Sequence, residues 1–249
     1  MGALTARPLA GLPEITAGAD LAALILDAGA APADDEIVVV AHKAISKAEA
    51  RIRALDSIVP SPRAHELAAA NDKDPRHVQA ILDESAELLR ADHGVLIART
   101  PHGFVCANAG VDESNTPGDG LLILLPRDPD RSARALRARL RELSGCSPAV
   151  LISDSFGRAW RLGQLDTALG CAGLVALDDW RGRRDRRGRE LRASMIAVAD
   201  AVTAAADLTR EKDSGEPVVI VAGLGHHVHA DDGPGAAALI RPIAEDLFS

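Results

Sequence analysis

The 249-residue chain has no tyrosine and only five aromatic side chains, Phe104, Phe156, Phe248, Trp160 and Trp180. A platform that stacks nucleic-acid bases needs several exposed rings, so the composition argues against one. The core must instead come from Ala, Leu, Val and Ile. Cysteine is scarce and scattered: Cys106, Cys146 and Cys171 form no CxxC pair. That pattern predicts reduced thiols in a cytoplasmic protein rather than a disulfide scaffold. Positive charge is in deficit, 28 − 36 = −8, which makes a poor general polyanion binder. The N-terminal MGALTARPLAGLPEI has no apolar stretch of the kind a signal peptide needs. The longest apolar run, around Leu121 to Leu125, is far short of a membrane span.

Several nucleotide and hydrolase signatures are also missing. There is no GxxxxGK[ST], no GxSxG and no HExxH, and Gly223-Leu224-Gly225 carries Val228 where a dinucleotide fingerprint needs its third glycine.

What is present suits a globular fold. Apolar residues make up 47% and charged residues 26%, and the length allows one large domain or two small ones. Short β-branched runs predict strands at Glu36–Ala41, Gly94–Arg99, Phe104–Ala107, Gly120–Leu125, Ala149–Ser153 and Pro217–Ala222. Helices are expected at Asp20–Ala28, Asp74–Ala91 (with Asp74 as N-cap), Asp130–Leu143, Glu190–Thr209 and Gly235–Leu247. After Ser153 the polar DSFGR reads as a loop. Together these give an α+β fold of mixed sheets with flanking helices.

Five segments could carry chemistry. Asn108 to Asn115 (NAGVDESN) packs two carboxylates, two amides and a hydroxyl behind a strand; Asp112 is a candidate ligand for a hard cation, or the segment is an Asx-rich turn. Asp154 and Ser155 end an apolar strand, where open sheets often bind ligands, although an Asp there can also be a cap. Between Arg158 and Arg192 lie nine arginines against five acids, a set suited to anions or simply a solvated basic loop with pairs such as Arg184–Asp185. Ile45 to Glu49 reads as a helix start with Ser46 as N-cap and Glu49 closing a capping box, which would offer Lys47 and free N–H groups to phosphate. The cluster His226 to Asp232 invites a metal reading through His227 and His229, or is an ordinary loop.

In order and spacing these segments resemble the coenzyme F420-0:L-glutamate ligase family. The match includes Gly11 to Ile15, Ile45 to Glu49, Ala80 to Ser85, His102 to Asn115, Leu125 to Asp130, Ile152 to Arg158, Asp179 to Gly182 and Gly188 to Leu191. NAGVDxSN and SDSFGR are the most specific pieces. The resemblance implies a single gamma-glutamyl ligase domain over 1–249, divisible into two subdomains, without the nitroreductase-like domain that follows it in some relatives. It also implies an intertwined homodimer. The implied activity is GTP-dependent addition of L-glutamate to coenzyme F420-0 through an acyl phosphate, with Mg²⁺ or Mn²⁺ and K⁺ as a further cation, and with no nucleic acid or membrane partner. By the same resemblance Asp112, Asp154, Ser155 and Glu211 would hold metal. Asp112, Asp154, Lys47 and Arg158 would serve catalysis. Leu12, Pro13, Glu14, Ile15, His42, Lys43, Lys47, Asn115, Thr209, Arg210, Glu211, Lys212, Asp213, Ser214, Gly215 and Glu216 would contact the nucleotide. Rival readings are a metal-dependent phosphohydrolase, a glutamate ligase for another acceptor, and a non-catalytic nucleotide-binding protein.

Overall fold

A computed structural model describes residues 3–211 and 214–246. The chain opens with β1 (Thr5–Pro8), α1 (Leu21–Asp27), β2 (Ile37–Ala41) and α2 (His42–Ala48). A second group follows: β3 (Ile52–Ala54), α3 (Pro62–Asn71), α4 (Pro75–Asp83), β4 (Glu87–Asp92), β5 (Val95–Arg99), β6 (Val105–Ala107) and β7 (Leu121–Ile123). The chain returns through α5 (Pro129–Ser144), β8 (Ala149–Arg158), β9 (Arg161–Ala172), β10 (Leu177–Asp179), β11 (Met195–Ala197), α6 (Val198–Asp207) and β12 (Val218–Ala222). The α+β class with mixed sheets is therefore borne out.

The main sheet has the order β1-β12-β2-β8-β9. Only β2 and β8 run parallel, in register from Ile37↔Ala149 to Ala41↔Ser153. Their runs IVVV and AVLI are wholly buried, as a strand covered on both faces must be. Alternation then sorts the side chains by face. Val38, Val40, Val150, Ile152 and Ile220 pack with Ile25, Ala44, Ile45, Leu136 and Leu140 of α1, α2 and α5. Ile37, Val39, Leu151, Val219 and Val221 pack with Val198, Ala199, Val202 and Ala206 of α6. The second group has a core of its own, built on Leu67, Val78, Ile81, Leu96, Ala98, Val111 and Leu122.

Five sequence expectations need correction. The helix from Asp74 ends at Asp83, and Glu87–Asp92 pairs antiparallel with β5 instead. The Asp74 cap holds, its carboxylate accepting from Arg76 N at 2.8 Å. Leu88 and Leu89 fit the helical period, but strand alternation leaves the first half-buried and the second exposed. DSFGR is not a loop: β8 runs on to Arg158 and pairs with β9 beyond the sheet's core. The expected helix at Glu190–Thr209 is shorter, because β11 occupies Met195–Ala197 and α6 starts at Val198. Gly235–Leu247 holds two 3₁₀ turns, Ala236–Leu239 and Ile243–Glu245, in place of one helix; Leu247 lies outside the described residues. The helix expected at Ile45 begins at His42, so Ser46 is internal and Glu49 is the C-cap.

Among the described residues no helix is long and apolar enough to cross a membrane. Gly170 lets α5 lie directly on β9: a Cβ there would meet the backbone carbonyl of Pro129, which cannot swing aside. Gly170→Ala should cost about 1–3 kcal/mol of overpacking, which for a chain of this size lowers Tm by roughly 2–12 °C. Differential scanning calorimetry of the variant checks this; an unchanged Tm would show that α5 can shift away.

Candidate active site

Parallel pairing of β2 and β8 puts the ends of both strands side by side. β2 passes directly into α2, so His42 and Lys43 stand next to Asp154 on β8. His42 Nε2 lies 3.3 Å from Asp154 Oδ1, with His42 only 2% exposed. Lys43 Nζ meets Asp112 Oδ2 at 2.5 Å and donates to Ser114 O (3.2 Å) and Ser114 Oγ (2.5 Å). Two consecutive residues thus bring together the two carboxylates expected from widely separated segments.

The Asp112 segment reaches this point along an unusual backbone. Asn108, Ala109 and Gly110 all have positive φ, of 53°, 52° and 71°, and Asn115 has 55°. Such angles are uncommon for residues with a Cβ and concentrate at functional sites. Gly110 is required twice over, because a Cβ there would also collide with the Leu125 side chain. An isolated bridge pairs Asp112 with Ile123 of β7 and fixes where the turn ends. Asp112 then caps its own turn, its Oδ1 accepting from Ser114 N at 2.7 Å.

Burial pushes both carboxylates up, but their partners outweigh it. The Lys43 ammonium and Ser114 N–H hold Asp112 below the usual carboxylate range. For Asp154 the opposing groups are His42, the Ser155 N–H and Lys43, again with a net lowering. Both groups are therefore ionised at neutral pH, and Lys43 acts on the two together. Burial, aided by the Asp154 charge, pushes the Cys106 thiol up to about 12.

Below Asp154 lies a polar cluster missed by sequence reasoning. Ser155 Oγ donates to Asp166 Oδ1 at 2.6 Å, and Ser153 Oγ donates to Asp166 Oδ2 at 2.7 Å. Arg210 pairs with the same carboxylate and donates to Ser153 Oγ at 2.9 Å. The one clue was Asp166 itself, the only charged residue in the stretch LGQLDTALGCA of β9.

A second pairing gathers two of the expected nucleotide contacts. Lys47 Nζ meets Glu14 Oε1 at 2.5 Å, and Gly18 N donates to Ala48 O at 2.8 Å, which ties the 12–15 segment to α2. Lys47 sits in the last turn of α2, not at its N-terminus, so the helix-start argument for it fails. Ile15 is core, Leu12 is half-buried and Pro13 is exposed.

Other candidates stand apart. Arg158 is exposed at the β8–β9 hairpin end, where it donates to Leu162 O at 2.6 Å. Asn115, Glu211, Ser214 and Gly215 are exposed, and Glu216 is half-buried. Thr209 Oγ1 donates back to Ala206 O. Lys212 and Asp213 lie outside the described residues. In the basic loop, Arg184 donates to Gly188 O while Asp185 caps Arg187 and Arg189, so these two side chains do not pair with each other. His227 ends a 3₁₀ turn, its ring 4.1 Å from that of His226, rather than lying on a strand.

Whether a divalent cation fits can be read from the donors. Two ionised carboxylates on adjoining elements match hard-cation chemistry, whereas the Ser155 hydroxyl is turned to Asp166. Asn108 Oδ1 is buried in the same segment without a partner, and His42 Nε2 also makes no hydrogen bond of good geometry. Among the described residues, no three His, Cys, Asp or Glu side chains converge closely enough to hold a metal. The set fits a cation that draws its remaining ligands from phosphate and water, as Mg²⁺ commonly does.

The description F420-0:Gamma-glutamyl ligase belongs to a family model that matches residues 11–223. This chain belongs to that family. Curated relatives agree along almost the full length. The chain is 45% identical to the coenzyme F420:L-glutamate ligase of Methanothermobacter thermautotrophicus, over 96% of each chain. It is 44% identical to the one from Methanopyrus kandleri, over 94% of this chain and 93% of the relative. The Haloarcula marismortui ligase is also 44% identical, over 95% and 92%. The family assignment made from the motifs is thus borne out, and the matched span contains Glu14, His42, Lys43, Lys47, Asp112, Asp154 and Asp166.

The thiols offer a check on the geometry. Cys106 and Cys171 are buried with thiols pushed up to about 12, whereas Cys146 is half-buried. At pH 8 a thiolate-directed reagent should label Cys146 alone in the native protein, and all three after unfolding. Native labelling of Cys106, read by peptide mass spectrometry, would mean that the β6–β8 contact beside Asp154 is open.

Proposed function

We propose that this protein joins L-glutamate to coenzyme F420-0 in a GTP-dependent reaction, then extends the product through gamma-linked glutamates. The observation that carries the reading is the junction of β2 and α2, where Lys43 and His42 meet Asp112 and Asp154. The names of the relatives support the acceptor and the amino acid.

A carboxylate is a poor acyl donor, so it must first be phosphorylated. Phosphoryl transfer depends mainly on positioning and on neutralising charge. Asp112 and Asp154 would hold Mg²⁺ or Mn²⁺, which when bound neutralises phosphate oxygens; Ser155, turned to Asp166, and the exposed Glu211 would join them only on rearrangement. Lys47 and Lys43 supply fixed positive charge beside α2, where the phosphates of GTP would lie against the 12–15 segment. Transfer of the γ-phosphoryl group to the coenzyme carboxylate gives an acyl phosphate and GDP. The glutamate amine then attacks the acyl carbon, the C–N bond forms, and phosphate leaves with the acyl C–O bond broken. Arg158, at the hairpin end, would act on phosphate only through a second copy of the chain in the proposed homodimer. K⁺ would serve as an additional counter-cation, and the reaction would take place in the cytoplasm.

Incubation with unglutamylated coenzyme, L-glutamate, GTP and Mn²⁺ tests the reading by mass spectrometry. The product should gain one or more glutamyl units with one GDP released per unit. GDP without glutamyl gain would replace the ligase with a phosphohydrolase or a ligase for another acceptor. Asp154→Asn should fold normally and lose at least roughly 100-fold in kcat, since metal charge stabilisation contributes several kcal/mol.

A further inference from the structure

The chain has only five aromatic side chains, yet two of them meet beside the site, where the chemistry above gives them no role. Phe156 follows Asp154 by two residues on β8, within the stretch where the β8–β9 register is regular. Strand alternation therefore turns its ring to the same face as the Asp154 carboxylate. Phe104 comes from the turn before β6, its ring centroid 6.3 Å from that of Phe156 at an interplanar angle of 72°. His102 stacks on Phe104, with centroids 5.5 Å apart and planes inclined by 26°. Cys106, two residues past Phe104, is close enough to Asp154 to feel its charge, so the two segments run side by side. The row of rings is held rigidly. Thr100 N donates to Phe104 O at 2.8 Å and Phe104 N donates to Thr100 Oγ1 at 3.2 Å, which closes the β5–β6 turn. His102 Nε2 donates to Arg127 O at 3.0 Å, which sets the orientation of its ring.

Packing within the chain does not explain these rings. Both phenylalanines are half-buried, and neither is among the residues of the three apolar cores or those packed against them. Fixed, partly open rings suit stacking with a flat heteroaromatic ligand. Two such ligands take part in the proposed reaction, the guanine of GTP and the deazaflavin of the acceptor. The phosphates of GTP are assigned to Lys43, Lys47 and the 12–15 segment along α2, whereas the rings stand on the β6 side of Asp154. The acceptor presents its carboxylate to the phosphoryl group and carries its ring at the other end. A row of rings that starts two residues from Asp154 matches that shape. We infer that Phe156 and Phe104, backed by His102, form the platform on which the deazaflavin ring of the acceptor stacks. The assignment rests on the ligase reading for the identity of the acceptor, and it names the side chains that would select it.

Calorimetric titration of the purified full chain tests it with two probes: the deazaflavin fragment of the acceptor without its phospholactyl arm, and GTP with Mn²⁺. The wild type should bind the fragment. Phe156→Leu and Phe104→Leu keep apolar bulk and lose the ring, and each should weaken fragment binding by about 5–150-fold, the range that stacking on an aromatic side chain gives. Phe156→Tyr keeps the ring and should bind the fragment as the wild type does. GTP affinity should be the same in all four proteins. A merely structural role for the rings would instead spare the leucine variants or weaken both ligands together. No fragment binding by the wild type, or leucine variants that bind it normally, would overturn the inference. Lost GTP affinity with fragment binding intact would give the rings to guanine, and an altered oligomeric state with fragment binding intact would give them to a second copy of the chain; either overturns it. Should Phe156→Leu misfold, Phe104→Leu carries the same expectation. Glutamate ligation by the wild type is measured alongside. Ligation with fragment binding indifferent to the rings rejects the platform and keeps the ligase reading. Ring-dependent fragment binding in a chain that does not ligate keeps the platform and rejects the ligase reading.

Discussion

Two carboxylates held near each other in a protein repel, and each resists burial unless a positive group stands beside it. In this fold a single strand junction meets that need. β2 ends at Ala41, and the next two residues, His42 and Lys43, deliver a ring nitrogen to Asp154 and an ammonium to Asp112. The junction works only because β2 and β8 are parallel and in register, so that Ala41 lies opposite Ser153. The remaining architecture follows from keeping that parallel pair dry. Helices α1, α2 and α5 cover one face of the sheet and α6 covers the other.

Asp112 arrives from a different core. The second group of elements packs on its own apolar centre and sends one strained turn back toward the main sheet. Three successive residues with positive φ cost free energy that surrounding contacts must offset, of order 1–3 kcal/mol for each unfavourable one. The bridge to Ile123 and the bond from Ser114 N supply part of that support. The site is thus assembled between two separately stabilised units, which is a common place for small-molecule chemistry.

Much of this was legible in the residues, and the failures have physical causes. EIVVVA and PVVIVA could be read as strands because short β-branched runs have few other uses. DSFGR was misread as a loop because its apolar content falls where β8 leaves the core, although backbone pairing with β9 continues. Leu88 and Leu89 fit a helical face by spacing, and only tertiary pairing with β5 makes that stretch a strand. The motif residues Asp112 and Asp154 carried the family resemblance, but no spacing rule could reveal that Lys43 and His42 stand beside them. Asp166 was invisible for the same reason: its partners Ser153, Ser155 and Arg210 are 13, 11 and 44 residues away.

The central claim is that the β2–α2 junction gathers Asp112 and Asp154 into one divalent-cation site. Anomalous diffraction from crystals soaked with Mn²⁺ and GDP addresses it most directly. The account predicts an anomalous peak within coordination distance of both carboxylates, roughly 2.0–2.6 Å for hard cations on oxygen. A well-occupied Mn²⁺ found elsewhere, with Lys43 still on Asp112 and His42 still on Asp154, would contradict it.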